Sequence, residues 1–308
     1  MRMVSAGLGI ALGALIAAGN AAAAGILFIG NSYTEGGGSP VVAYRRGSVT
    51  DLNGRNIGGV PALFKSFAAE SGLAFDVCLE TEPGASLDWH VDHKLGVIGQ
   101  RGWDIVIMQG YGALDPRNPR DAALVATGVR QLAEFLRVRN PAVDMRLMAT
   151  WSRADQTYPP AGAWHGKSID AMALDMRAGY EFAAKKAPGI RSVLPVGEAW
   201  SRAINTGIAD ANPYDGLDPG KVNLWAPDNM HGSMFGYYLE ALVVFGSVTG
   251  RDPRALGAAE CSGFELGMSA VQITALQQVA FDQLVAEGAL KETTQTPVRP
   301  TEPARCAR

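Results

Sequence analysis

The chain is 308 residues long, 47% hydrophobic and 19% charged, with a formal net charge of −3. That length and apolar content suit one α/β domain with a large core. No stripe of Lys or Arg offers an electrostatic footprint for nucleic acid, so a nucleic-acid partner is not expected.

The first two dozen residues read as a leader ahead of the fold. Arg2 gives a positive start, Val4 to Ala18 is a Gly/Ala/Leu-rich apolar run, and Ala21 to Ala24 offers small-residue cleavage sites. The run falls short of the about 20 residues that a membrane span needs. Residues 1–24 are therefore expected to be a cleaved signal peptide. The mature chain would be secreted or periplasmic, without stable membrane insertion.

Five apolar, β-prone runs follow in order: Ile26 to Ile29, Phe75 to Leu79, Ile105 to Met108, Met145 to Thr150 and Ser192 to Val196. Helical periodicity separates them, clearest over Ala122 to Arg139 and Ile169 to Lys186, and returns over Met268 to Gly288. Buried strands alternating with amphipathic helices predict βαβ units, a five-stranded parallel sheet and an α/β/α sandwich over residues 25–290. Ligands of such sheets sit beyond the carboxyl ends of the strands. Glu35 to Gly59 breaks the rhythm as a long Gly-rich loop. It is expected to fold over the strand ends, with Tyr44, Arg45 and Arg46 free to touch a ligand. Gln156 to Gly166 is a second loop at a strand end. Residues 291–308 form a polar Pro/Thr-rich tail, expected to be disordered.

Cys78, Cys261 and Cys306 do not have zinc-site spacing. In an oxidising compartment Cys261 and Cys306 can close the C-terminal segment, while Cys78, in a strand-like run, reads as a core residue. The odd count leaves at least one thiol free or paired between chains.

Two short segments bear the chemistry. Leu27 to Ile29 runs into the turn Gly30-Asn31-Ser32, and Asp228 stands three residues before His231 ahead of an apolar helical run. An alcohol is a weak nucleophile without a base, so Ser32 needs an imidazole, and the imidazole needs a carboxylate to fix its tautomer. Ser32, His231 and Asp228 are the parts of an acyl-transfer site. His90 and His93 are placed on a solvated helix face with no third ligand, and His165 lacks a nearby carboxylate. No metal or organic cofactor is expected.

With these residues in view, the chain resembles the SGNH (GDSL-type) serine hydrolases, from Gly25 to about Gly250. Gly30-Asn31-Ser32-Tyr33 matches the first block of that family, with Asn31 where better-known members have Asp. Gly84 matches the lone glycine of the second block, and Asp228 with His231 matches the last. The resemblance implies a flavodoxin-like fold, carboxylic-ester hydrolysis, and an oxyanion hole containing the backbone N–H groups of Ser32 and Gly84. The third block departs: the family's Gly-x-Asn-Asp is replaced by Gln109-Gly110-Tyr111-Gly112. The Gln109 amide is then the candidate for the missing oxyanion donor, against the alternative of a buried polar residue bonded to a neighbouring loop.

Asn31, Tyr33, Tyr111, Trp151 and Arg153 are expected to line the substrate cleft. Aromatic residues near the strand ends, including Tyr158, Trp164 and Trp225, suggest a short-chain acyl ester of a carbohydrate. Two rival readings share the scaffold: an O-acyltransferase, and a catalytically inactive glycan-binding protein suggested by the departed third block.

Overall fold

The computed structural model describes residues 23–292 and Cys306. The expected leader, up to residue 22, and most of the expected tail lie outside the described residues. In chain order the elements are β1 (Ala24–Gly30), α1 (Ser32–Glu35), β2 (Thr50–Asp51), α2 (Gly59–Glu70), β3 (Phe75–Thr81), α3 (Leu87–Ile98), β4 (Ile105–Met108) and α4 (Ala123–Arg139). They continue as β5 (Asp144–Ala149), α5 (Ala154–Thr157), α6 (Asp170–Lys186), β6 (Ile190–Pro195), α7 (Val196–Asn205), α8 (Met234–Thr249), α9 (Cys261–Glu265) and α10 (Ala270–Ala286).

Six parallel strands form one sheet in the order β2-β3-β1-β4-β5-β6. The sequence predicts five of them. The sixth, β2, is two residues long, has no apolar pattern, and is defined only by pairing Thr50 with Cys78 and Asp51 with Leu79. Strand β1 lies inside the sheet and is covered on both faces, so Ile26 to Ile29 are all fully buried. Its side chains alternate: Ile26 and Phe28 enter a core built with α2, α7, α8 and α10, and Leu27 and Ile29 enter one built with α3, α4 and α6. The chain leaves β1 towards β3, then crosses back to β4 on the other side of β1. The order reverses there, which opens a crevice at the carboxyl ends of β1 and β4. Ser32 and Gln109 follow those two ends. Helix α8 is apolar almost all round and buried from Gly236 to Gly246, as an interior helix must be. Among the described residues, no helix is long and apolar enough to cross a membrane.

Two expectations change at this level, and one about the cysteines is met. The segment between Glu35 and Gly59 is ordered by short 3₁₀ turns, and Gly37 and Gly38 at its beginning lie beside Ser32 and His231. Further on, the Tyr44 hydroxyl bonds to Ser262 and Glu265, and Arg45 forms a two-pronged ion pair with Glu265. These contacts dock the segment on α2 and α9, so Tyr44 and Arg45 are not available to a ligand. His90, placed on a solvated face, is fully buried, with Nδ1 2.5 Å from the equally buried Glu80 Oε2. A carboxylate near the end of strand β3 draws the imidazole inward; His93 remains exposed. Cys261 and Cys306 are joined by a disulfide, as their positions allow, and Cys78 is a buried free thiol.

The C-terminal layer also contains a carboxyl with a raised pKa. Glu70 ends α2 beside Glu260, the residue that caps α9 through the N–H groups of Ser262 and Gly263. Burial, helped by the Glu260 carboxylate, pushes the Glu70 carboxyl up from 4.5 to about 7. A carboxyl with a raised folded pKa stabilises the fold while protonated. Its contribution is complete below the unfolded value of 4.5 and is lost as pH rises through about 7. The melting temperature should therefore fall between about pH 5 and about pH 8, and fall less in Glu70→Gln. Parallel pH profiles for the two proteins, read by calorimetry, would reject this.

Candidate active site

Ser32 is the first residue of α1, directly after β1. Asn31 caps that turn by accepting the Tyr33 N–H on Oδ1 at 3.1 Å. The turn closes at Gly36, whose φ of 79° is the left-handed conformation that glycine adopts without penalty. Gly37 then passes so near the serine that an added Cβ would lie 3.0 Å from Ser32 Cβ and 3.3 Å from His231 Cδ2. The Tyr237 hydroxyl, from α8, donates to the Gly37 carbonyl at 2.9 Å and holds this approach.

His231 arrives from the other end of the chain on a tight turn. Ala226 donates to the His231 carbonyl at 2.8 Å, and Asn229 takes a positive φ of 59°. Asp228 Oδ1 accepts the N–H groups of Met230 and His231 at 3.0 and 2.9 Å, leaving Oδ2 for the imidazole. His231 Nδ1 lies 2.6 Å from Asp228 Oδ2, and His231 Nε2 lies 2.8 Å from Ser32 Oγ. The carboxylate fixes the proton on Nδ1, so Nε2 presents a lone pair to the serine hydroxyl. Burial alone would raise the Asp228 carboxyl; the hydrogen bonds from the His231 side chain and the two backbone N–H groups outweigh it and hold the carboxyl below its ordinary value. The turn is fastened to the β5 side by Trp151 Nε1, which donates to the Met230 carbonyl, and by the Asp155 N–H, which donates to the Asn229 carbonyl.

The remaining site candidates sort differently. Gly84 is exposed at φ 71° in the loop after β3, with nothing within 4 Å of an added Cβ. Glycine is needed there for backbone conformation, which directs the loop, and not to relieve crowding. Gln109 is fully buried and its amide is spent inside the protein. Oε1 accepts the Asn31 N–H at 3.1 Å and the Thr34 hydroxyl at 3.0 Å, while Nε2 donates to the Gly110 carbonyl. Because Asn31 N–H must meet an acceptor, the amide cannot be reversed, and Gln109 is not an oxyanion donor.

Asn31, too, is structural: its side chain is buried and bonded to backbone on three sides. Trp151 is fully buried and stacked on Trp200 at 4.3 Å, with Tyr33 packed between it and His231. Tyr33 and Trp151 therefore support the imidazole from below and do not line a cleft. Arg153 is held by Asp155 in a two-pronged pair, and Tyr111 is the half-exposed member of the set. Trp164 and Trp225 are buried with their indole N–H groups bonded to Asp175 and the Ser152 carbonyl. The aromatic residues that suggest a sugar platform are thus largely core.

Neither a protein-family model nor a curated protein matches this sequence. Solved structures do. A DUF4886 family protein from Bacteroides uniformis ATCC 8492 superposes with a TM-score of 0.57 at 15% identity, covering 88% of this chain and 98% of that one. A GDSL-like lipase candidate from Parabacteroides merdae ATCC 43184 gives 0.51 at 14% identity, covering 74% and 95%. The chain has the fold of the SGNH hydrolases. At these identities the likeness is one of architecture, and chemistry has to be argued from the side chains of this chain.

Gly37 and Tyr237 are site residues that the sequence reading missed. The only trace of the first is the run Gly36-Gly37-Gly38 straight after the serine turn; the second is one tyrosine in an apolar helix. Gly37→Ala is expected to displace Ser32 or His231 by a few tenths of an ångström and lower kcat about 10-fold to 10²-fold with KM little changed. Steady-state kinetics on an aryl ester with unchanged kcat would show that the contact yields elsewhere.

Proposed function

We propose that this protein is a serine hydrolase of carboxylic esters, with Ser32 as nucleophile, His231 as general base and acid, and Asp228 as the group that orients the imidazole. One observation carries the reading: a continuous hydrogen-bond chain from Asp228 through His231 to Ser32 Oγ, assembled from residues 199 apart in sequence. Ser32 Oγ attacks the acyl carbon while its proton passes to Nε2. The oxyanion forms facing the N–H groups of Ser32 and Gly84. Collapse expels the alcohol, which takes the proton from His231, and leaves an acyl-enzyme. Water, deprotonated by His231, attacks the ester, releasing the carboxylic acid and restoring Ser32.

A site engaged for catalysis argues against the inactive glycan-binding alternative, since such a protein has no need of an aligned triad. Short-chain acyl esters of carbohydrates are the substrate class we put first. Tyr214, half exposed in the connection between α7 and α8 and packed beside Tyr158 from the segment after β5, is the aromatic surface that supports it. Export is part of the proposal, supported by the leader-like first 24 residues and by the Cys261–Cys306 disulfide, a bond suited to an oxidising compartment.

Two measurements test the reading together. A serine-reactive phosphonate should label wild-type protein at Ser32, and p-nitrophenyl esters of increasing chain length should be hydrolysed. An unlabelled, inactive wild type would overturn it. Acetate release from acetylated polysaccharide, with and without an acceptor glycan, separates hydrolysis from acyl transfer.

A further inference from the structure

Gln109, expected as an oxyanion donor, and Asn31, expected in the cleft, share an arrangement with a consequence for the reaction. Asn31 is 2% exposed and Gln109 is fully buried, and both side-chain amides are bonded to polar groups of the strand-end loops. Asn31 Oδ1 accepts from the Tyr33 N–H inside the serine turn. Its Nδ2 uses both hydrogens on carbonyls of two other loops: Ala85, after β3, at 2.9 Å and Gly110, after β4, at 3.1 Å. Gln109 reaches back, accepting from the Asn31 N–H and the Thr34 hydroxyl and donating to the same Gly110 carbonyl. The Gly110 N–H is fixed in turn by the Tyr180 hydroxyl at 2.7 Å. Gly30 makes room for the meeting, since an added Cβ would come 2.3 Å from Thr34 Oγ1 and 2.9 Å from Gln109 Oε1.

We infer that Asn31 and Gln109 are positioning residues. They form a two-amide clamp that fixes the Ser32 turn against the Gly84–Ala85 loop and so sets the spacing of the two backbone N–H groups of the oxyanion hole. Oxyanion donors act by preorganisation, so an error of a few tenths of an ångström between them is felt in the transition state more than in the bound substrate. The clamp also requires Asn where the resembling family has Asp. A carboxylate at position 31 would keep the cap on Tyr33 but would face the Ala85 and Gly110 carbonyls with no hydrogen to give, replacing two attractions by repulsion. The two departures from the family pattern, Asn31 and Gln109, are then two halves of one device converging on Gly110.

The catalytic consequence rests on the ester-hydrolase reading; the clamp itself does not. Asn31→Asp is the decisive variant, and Asn31→Ser, which keeps a capping oxygen but cannot bridge two carbonyls, stands in if Asn31→Asp does not fold. Each should lower kcat about 10²-fold on an aryl ester with KM changed less than about twofold. Gln109→Ala should behave alike, and the Asn31→Ser/Gln109→Ala double variant should lose no more than the worse single one. Wild-type kcat in these variants, a loss confined to KM, or additive losses would overturn the clamp. Hydrogen exchange supplies a readout independent of turnover: amides in residues 82–86 and 109–113 should exchange faster in the Asn31 variants, and unchanged exchange overturns the proposal. A wild type that hydrolyses nothing and resists the phosphonate would instead refute the hydrolase reading, leaving the clamp to be decided by exchange.

Discussion

Ser32→Ala and His231→Ala are each expected to abolish ester hydrolysis almost entirely, with kcat falling about 10⁶-fold, and the double variant is expected to be no worse than either. On the proposed mechanism, nucleophile and base work as one unit across the 2.8 Å contact between Ser32 Oγ and His231 Nε2. Without the imidazole the hydroxyl keeps its proton; without the hydroxyl the imidazole has nothing to activate but water. The residual rate then comes from binding and from the N–H groups of Ser32 and Gly84, which both variants retain. Folding should survive. Ser32→Ala deletes one partly buried hydrogen bond, a loss of about 1 kcal/mol. Turnover within tenfold of wild type by either folded variant, with circular dichroism unchanged, would remove these residues from the mechanism. Additive losses would mean that Ser32 and His231 act separately.

The sequence makes the architecture and the Asp228–His231–Ser32 hydrogen-bond chain legible for related reasons. Strand β1 and its neighbours are runs of buried apolar residues, and that composition follows from coverage on both faces. Asp228 and His231 are close in sequence because one tight turn both bonds the carboxylate to the backbone and aims its second oxygen at the imidazole. What a strand-end position does not reveal is the direction in which a side chain turns. Trp151 and Gln109 both follow strands at the crevice, yet both point inward, one to stack on Trp200 and one to meet the N–H of Asn31. His90 goes inward because Glu80, on a strand residue beyond the apolar run, waits there. Tyr237 and Gly37 escape notice because their roles depend on a contact 200 residues apart in the chain. Strand β2 escapes because pairing alone defines it.

Asp228→Asn should be at least as damaging as Asp228→Ala, although it is the closer match in shape. In the native turn, Oδ1 accepts the N–H groups of Met230 and His231, and Oδ2 accepts from His231 Nδ1 at 2.6 Å. An asparagine must keep its oxygen towards the two backbone donors. Its NH₂ group then faces His231 Nδ1, which has to become an acceptor, and the ring proton moves to Nε2. The serine hydroxyl would meet an N–H where it needs a lone pair. A wrong tautomer held by good hydrogen bonds costs about 10³-fold to 10⁴-fold in kcat. Asp228→Ala imposes no tautomer, and the native carboxylate is 44% exposed, so water can take its place beside Nδ1. That variant should lose less in kcat, but more in stability, because the two backbone donors of the turn go unpaired by protein. The carboxyl, held below its ordinary value in the native site, stays ionised at neutral pH, so the comparison belongs near pH 7.5, with kcat and melting temperature read on the same samples. An Asp228→Asn enzyme within tenfold of wild type would mean that the imidazole is oriented by the packing of Tyr33 and Trp151 and not by the carboxylate.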